Sequence, residues 1–137
     1  MNDKQVKIMI QNHESCSFKV YLDSLGNPTV GFGHHLYVGS TINYKIAKEL
    51  FEMDWDETVK AYYSLNLLLD PVRRAVVLDM IFNMGLQGFK TFKKMIVALR
   101  HGNYQKAANE MIDSQWYEQV GYRAKKLVEM MRSGEAP

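Results

Sequence analysis

The sequence predicts an α+β fold, mostly α: a small N-terminal β-hairpin or three-stranded sheet and a larger helical lobe, in one domain of 137 residues. Three patterns carry this expectation. Phe18, Val20 and Leu22 alternate with Ser17, Lys19 and Tyr21, the period-two spacing of a strand. Asp23-Ser24-Leu25-Gly26-Asn27-Pro28 then concentrates turn residues, and Thr29-Val30-Gly31-Phe32 resumes an extended run. Beyond Asn43 the chain is apolar at helical spacing, punctuated by capping residues and glycines.

Taken in order, the chain opens on a helix that ends near Glu14, where the helical period is lost. The sheet lobe spans about residues 14–42, leaving 1–13 and 43–137 to the helical lobe. Asn43 can cap a helix reaching about Tyr63, with Ile42 before the cap to staple against Ala47. Asp70 followed by Pro71 reads as an N-cap with proline at the first helical position. Val72, Ala75, Val76 and Met80 are interleaved with Val77, Leu78, Ile81 and Phe82, so this helix is apolar nearly all round and belongs at the centre of its lobe. Gly85 is its expected end. Shorter helices follow at about 91–101, 104–113 and 122–132, with 114–121 as a further turn. Trp116 and Tyr117 invite a sugar-stacking role, but aromatics between helices more often fill the core.

Composition bounds the function. Hydrophobic residues make up 47% and charged residues 23%, ordinary for a globule able to bury a core. No apolar run approaches a membrane span, and the N-terminus lacks a secretory pattern, so stable membrane insertion is not expected. The single cysteine, Cys16, excludes an internal disulfide and reads as a small buried residue. The nine methionines read as adaptable core filler. Charge is uneven: residues 1–70 carry six Lys/Arg against nine Asp/Glu, or −3, and residues 71–137 carry eleven against six, or +5. A basic C-terminal half suits an anionic polymer, but no basic–aromatic motif points to nucleic acid.

Two carboxylates, Glu14 and Asp23, flank the first strand, and Thr29 lies six residues beyond Asp23 across the turn. A carboxyl at a helix end and another on a turn can hold different pKa values, which glycosidic cleavage by acid and base requires. Spacing alone is weak evidence, because turn aspartates commonly cap backbone amides and Thr29 is an ordinary strand residue. His34 and His35 find no third or fourth partner in a metal-binding pattern.

Glu14, Asp23 and Thr29, leading into Gly31-Phe32-Gly33-His34, resemble the phage-type lysozymes of glycoside hydrolase family 24. Two further blocks match in order: Asp70-Pro71-Val72-Arg73-Arg74-Ala75 through Phe82-Asn83-Met84-Gly85, and Ser114-Gln115-Trp116-Tyr117 followed by Arg123-Ala124-Lys125-Lys126. The resemblance implies a lysozyme-like fold with its active-site cleft between the lobes. It implies a muramidase that cuts the β-1,4 bond between N-acetylmuramic acid and N-acetylglucosamine in bacterial peptidoglycan. Glu14 would be the general acid, with Asp23 and Thr29 positioning the attacking water, for an inverting outcome. Inversion would set the carboxyls roughly 6.5–9.5 Å apart. Arg123 falls where the family keeps an arginine near the catalytic Glu. Phe82, Asn83 and His35 are substrate-contact candidates, although His35 departs from the apolar residue often found there. The family's histidine–aspartate ion pair maps onto His34 and Asp54. Only residues 36–42 connect His34 to the following helix, fewer than fuller members of the family have.

The biology implied is phage or prophage host lysis by a monomer. It would need no cofactor and no metal, would be held in the host cytoplasm, and would depend on a holin to reach the wall. Three alternatives stay open: a lytic transglycosylase using Glu14 alone, a non-catalytic wall-binding or virion module, and a chitin-directed hydrolase.

Overall fold

Asn2 and Gln5 start the chain with a reciprocal capping box. The Gln5 amide donates to Asn2 Oδ1 at 2.9 Å, and the Asn2 amide donates to Gln5 Oε1 at 3.0 Å. The helix they open, α1 (Asp3–Glu14), ends at Ser15, whose φ of 61° leaves the helical region. Three strands follow in the computed structural model, which describes residues 1–137: β1 (Ser17–Leu22), β2 (Pro28–Gly31) and β3 (His34–His35). They form an antiparallel sheet in the order β1-β2-β3, so the expected hairpin is completed by a third strand. Contacts group Met1–Tyr44 as one unit and Lys45–Pro137 as another. By this division α1 keeps company with the sheet, whereas the sequence reading grouped residues 1–13 with the helices.

The register of the sheet positions the residues of interest. Tyr21 pairs with Thr29 across β1 and β2, and Thr29 pairs with His35 across β2 and β3. Thr29 therefore sits mid-sheet, and at 1% exposure it is the one buried residue of this unit. Cys16 corrects the sequence reading, because it is exposed. It leads into an edge strand whose Phe18 and Leu22 are also open to solvent, so the unit has no apolar interior to receive it.

The second unit holds most of α2 (Tyr44–Ser64) and all of α3 (Pro71–Lys90), α4 (Lys93–Arg100), α5 (Tyr104–Ile112), α6 (Gln115–Val120) and α7 (Tyr122–Ser133). As expected, Asp70 caps α3, accepting the Arg73 amide at 3.0 Å, and Pro71 occupies the first turn. Arg73 also reaches Asp70 Oδ2 at 3.2 Å and donates to the carbonyls of Met131 and Arg132, tying the start of α3 to the end of α7. Val76, Val77, Met80, Phe89, Met95, Met111 and Met131 are fully buried around this frame. Gly85 is a kink rather than an end: its backbone turns to φ 77°, ψ 167°, and helical structure resumes to Lys90. Ser114 caps α6 through the Tyr117 amide, so the expected turn there is a short helix. Trp116 is buried, as the packing argument expected.

Partial burial pushes the Asp70 carboxyl up, but the Arg73 amide and guanidinium outweigh it and hold the group below its ordinary value of 3.8. Asp70→Ala is expected to cost about 1 kcal/mol at pH 7, the usual worth of a side-chain cap. Because the folded carboxyl is lowered, its contribution is complete above 3.8 and is lost as pH falls through the lower folded value. Urea unfolding of both proteins at neutral and acid pH checks this, and a gap that widens in acid would contradict it.

Candidate active site

Asp23 is held by its own turn. Its Oδ1 accepts the amides of Leu25 at 2.9 Å and Asn27 at 2.8 Å, and its backbone amide donates to the Asn27 carbonyl at 2.9 Å. This is the side-chain-to-backbone closure that favours aspartate at a turn. The Asn27 amide, with smaller help from the Leu25 amide, the Asn27 side chain and the nearby His35, draws the Asp23 carboxyl below its ordinary value against a desolvation that raises it. Asp23 is therefore ionised and ready to accept a hydrogen bond across the neutral range.

Thr29 joins the same construction. Its hydroxyl donates to the Asn27 carbonyl at 2.9 Å. That spends its single proton and leaves its lone pairs as acceptors. One residue's main chain thus serves both neighbours: the Asn27 N–H fixes Asp23, and the Asn27 C=O orients Thr29. A carboxylate oxygen and a hydroxyl lone pair can each accept one hydrogen of a water.

Glu14 ends α1 and is exposed within this unit, its carboxylate packed on Gly33 in the β2–β3 turn. Gly33 has φ +75°, and a Cβ there would lie 2.5 Å from Glu14 Oε2. The backbone therefore favours glycine, and any side chain here would have to push the Glu14 carboxylate aside. Gly33→Ala is expected to displace the Glu14 carboxylate and lower turnover at least tenfold, with a melting temperature down by about 5 °C for the roughly 1–2 kcal/mol of left-handed strain. Wild-type activity in a folded Gly33→Ala protein would remove Gly33 from the account.

His35 stands where the sequence left its role open. Its Nε2 lies 3.2 Å from Asp23 Oδ2. His34 lies next to it on β3, and Asp54 lies on α2. No three His, Cys, Asp or Glu side chains converge as a metal-binding set.

The helical unit holds the other candidates. Arg123 donates to Asp79 Oδ1 through both Nε, at 2.9 Å, and Nη2, at 2.8 Å. Asp79, the partner of Arg123, is not among the residues that the sequence singles out. The pair forms part of the wall of a 420 Å³ cavity with Phe51, Trp55 and Phe82. Asn83 lines a second cavity of 850 Å³, where its Oδ1 accepts the Trp116 indole N–H at 3.1 Å. Lys93 and Lys94, and Glu110 and Asp113, give that cavity both signs of charge.

Glu14 at the end of α1, Asp23 in the β1–β2 turn and Thr29 on β2 lie in one small α+β unit of a chain otherwise built of helices. The chain belongs to the phage lysozyme family, whose sequence model matches residues 11–134. That match places it among lysozyme-like cell-wall hydrolases, enzymes of glycosidase type. It is 24% identical over 160 residues to Probable T4-type lysozyme 1 of Dictyostelium discoideum, covering 94% of each chain. Probable T4-type lysozyme 2 of the same organism is also 24% identical, again over 94% of each. The Pre-baseplate central spike protein Gp5 of Enterobacteria phage T4 is 25% identical over 92% of this chain but only 27% of its own length.

Proposed function

We propose that this protein is a muramidase that hydrolyses the β-1,4 bond between N-acetylmuramic acid and N-acetylglucosamine in peptidoglycan. The observation that carries the reading is the Asn27 bridge, which sets the Asp23 carboxylate and the Thr29 hydroxyl together as acceptors for one water. Glu14 donates its proton to the glycosidic oxygen as the bond to the anomeric carbon breaks. The water held by Asp23 and Thr29 attacks that carbon and passes its proton to Asp23. Attack from the face opposite the leaving group inverts the anomeric centre.

The substrate's other contacts we assign to the helical unit. Phe82 offers an apolar face, and Arg123 a guanidinium anchored by Asp79. Asn83, fixed by Trp116, borders the mixed-charge cavity, which suits a glycan bearing short peptides with both amines and carboxylates. Host lysis is the proposed setting. In that setting a holin would open the route to the wall, and no helix of the protein is long and apolar enough to cross a membrane.

Purified peptidoglycan incubated with the protein should gain reducing ends in proportion to time and enzyme. Binding to the wall without new ends would favour a wall-binding module. Reducing ends from chitin alone would move the enzyme to that polymer.

A further inference from the structure

We propose that His35 is a positioning residue for Asp23, fixing the carboxylate that orients the attacking water, rather than a substrate contact. The inference rests on the muramidase reading above for its functional consequence, but its geometry stands on its own. Oδ1 of Asp23 is occupied by two backbone amides, which pin one oxygen of the carboxylate. Oδ2 is the oxygen left to accept from water, and its protein contacts are the Asn27 side-chain amide at 3.5 Å and His35 Nε2 at 3.2 Å. The first is at the outer limit of a hydrogen bond. The His35 imidazole, at ion-pair distance, is therefore the nearest protein group to the oxygen left for water.

The sheet delivers that imidazole to its place. Thr29 and His35 are directly paired between β2 and β3, and Asn27 connects Thr29 back to Asp23. Asp23, Asn27, Thr29 and His35 are thus linked in turn by hydrogen bonds, strand pairing and the His35–Asp23 contact. Half of the His35 side chain remains in solvent, at 55% exposure.

A positioning role predicts a split in the kinetics on peptidoglycan. His35→Leu is expected to lower kcat about tenfold with KM unchanged, since the lost interaction is one polar contact at the oxygen assigned to the water. His35→Gln, whose side-chain amide can still donate, should recover most of the loss. A raised KM with unchanged kcat would overturn the proposal in favour of a substrate contact, and unchanged values for both would overturn it outright. A second measurement needs no substrate. In the free protein, carbon-13 titration of the Asp23 carboxyl should move toward the ordinary carboxylate value in His35→Leu. An unmoved titration would mean that the contact does not exist in solution. If Glu14→Gln proves as active as wild type, the muramidase reading falls while the titration still decides the contact.

Discussion

Glu14→Gln is expected to lower peptidoglycan turnover by roughly a hundred- to ten-thousand-fold while the protein remains folded. Glutamine preserves the size of the side chain and its packing on Gly33, but it carries no acidic proton. The leaving sugar must then depart as an alkoxide or find its proton in water, and general acid catalysis of this kind is worth about that factor. Because Glu14 is exposed within its unit, the substitution leaves no buried polar group without a partner. Circular dichroism and the unfolding midpoint should change little. Wild-type rates for Glu14→Gln would remove Glu14 from the catalytic role.

Asp23→Asn is expected to be the second most damaging change, with kcat down by roughly a hundredfold or more and KM nearly constant. Its side-chain oxygen can still accept the Leu25 and Asn27 amides, so the turn should persist. The second position becomes an NH2 group, which donates where the water needs an acceptor. It also faces His35 Nε2, another donor whenever that nitrogen carries its proton. The pH profile carries a further sign. Asp23 lies below its ordinary value of 3.8, so it stays ionised as pH falls through that value, and wild-type activity should not decline there through loss of this base. Steady-state kinetics across mildly acid pH, for wild type and Asp23→Asn, test both points. Retained kcat in the variant would contradict the water-positioning role.

The parts of this protein that were legible in its sequence are those specified by neighbours in the chain. The Asp70–Pro71 start of α3 and the extended run of β1 each follow from a few adjacent residues. So does the turn that gathers Asp23 and Thr29 around Asn27, because its hydrogen bonds span no more than four positions. What could not be read depends on register or on distance along the chain. His35 reaches Asp23 only because β3 pairs with β2 at Thr29, and a shift of one residue would have presented His34 instead. Arg123 meets Asp79 from 44 positions away, with no local pattern to announce it. Cys16 was misread because its small size suggested burial, whereas burial needs a core and Thr29 is the only buried side chain of that unit. At Gly85 the glycine rule found the break in the helix but could not say that helical structure resumes beyond it.

The central claim is that water, held by Asp23 and Thr29, cleaves the glycan with Glu14 as the acid. Digestion of purified peptidoglycan in water enriched in oxygen-18, followed by mass spectrometry of the muropeptides, tests it most directly. The account predicts muropeptides with a reducing end that carries one heavy oxygen from wild type, and a near absence of product from Glu14→Gln. Unlabelled anhydro-muropeptides would contradict it, because the sugar's own hydroxyl would then have done the work assigned to water.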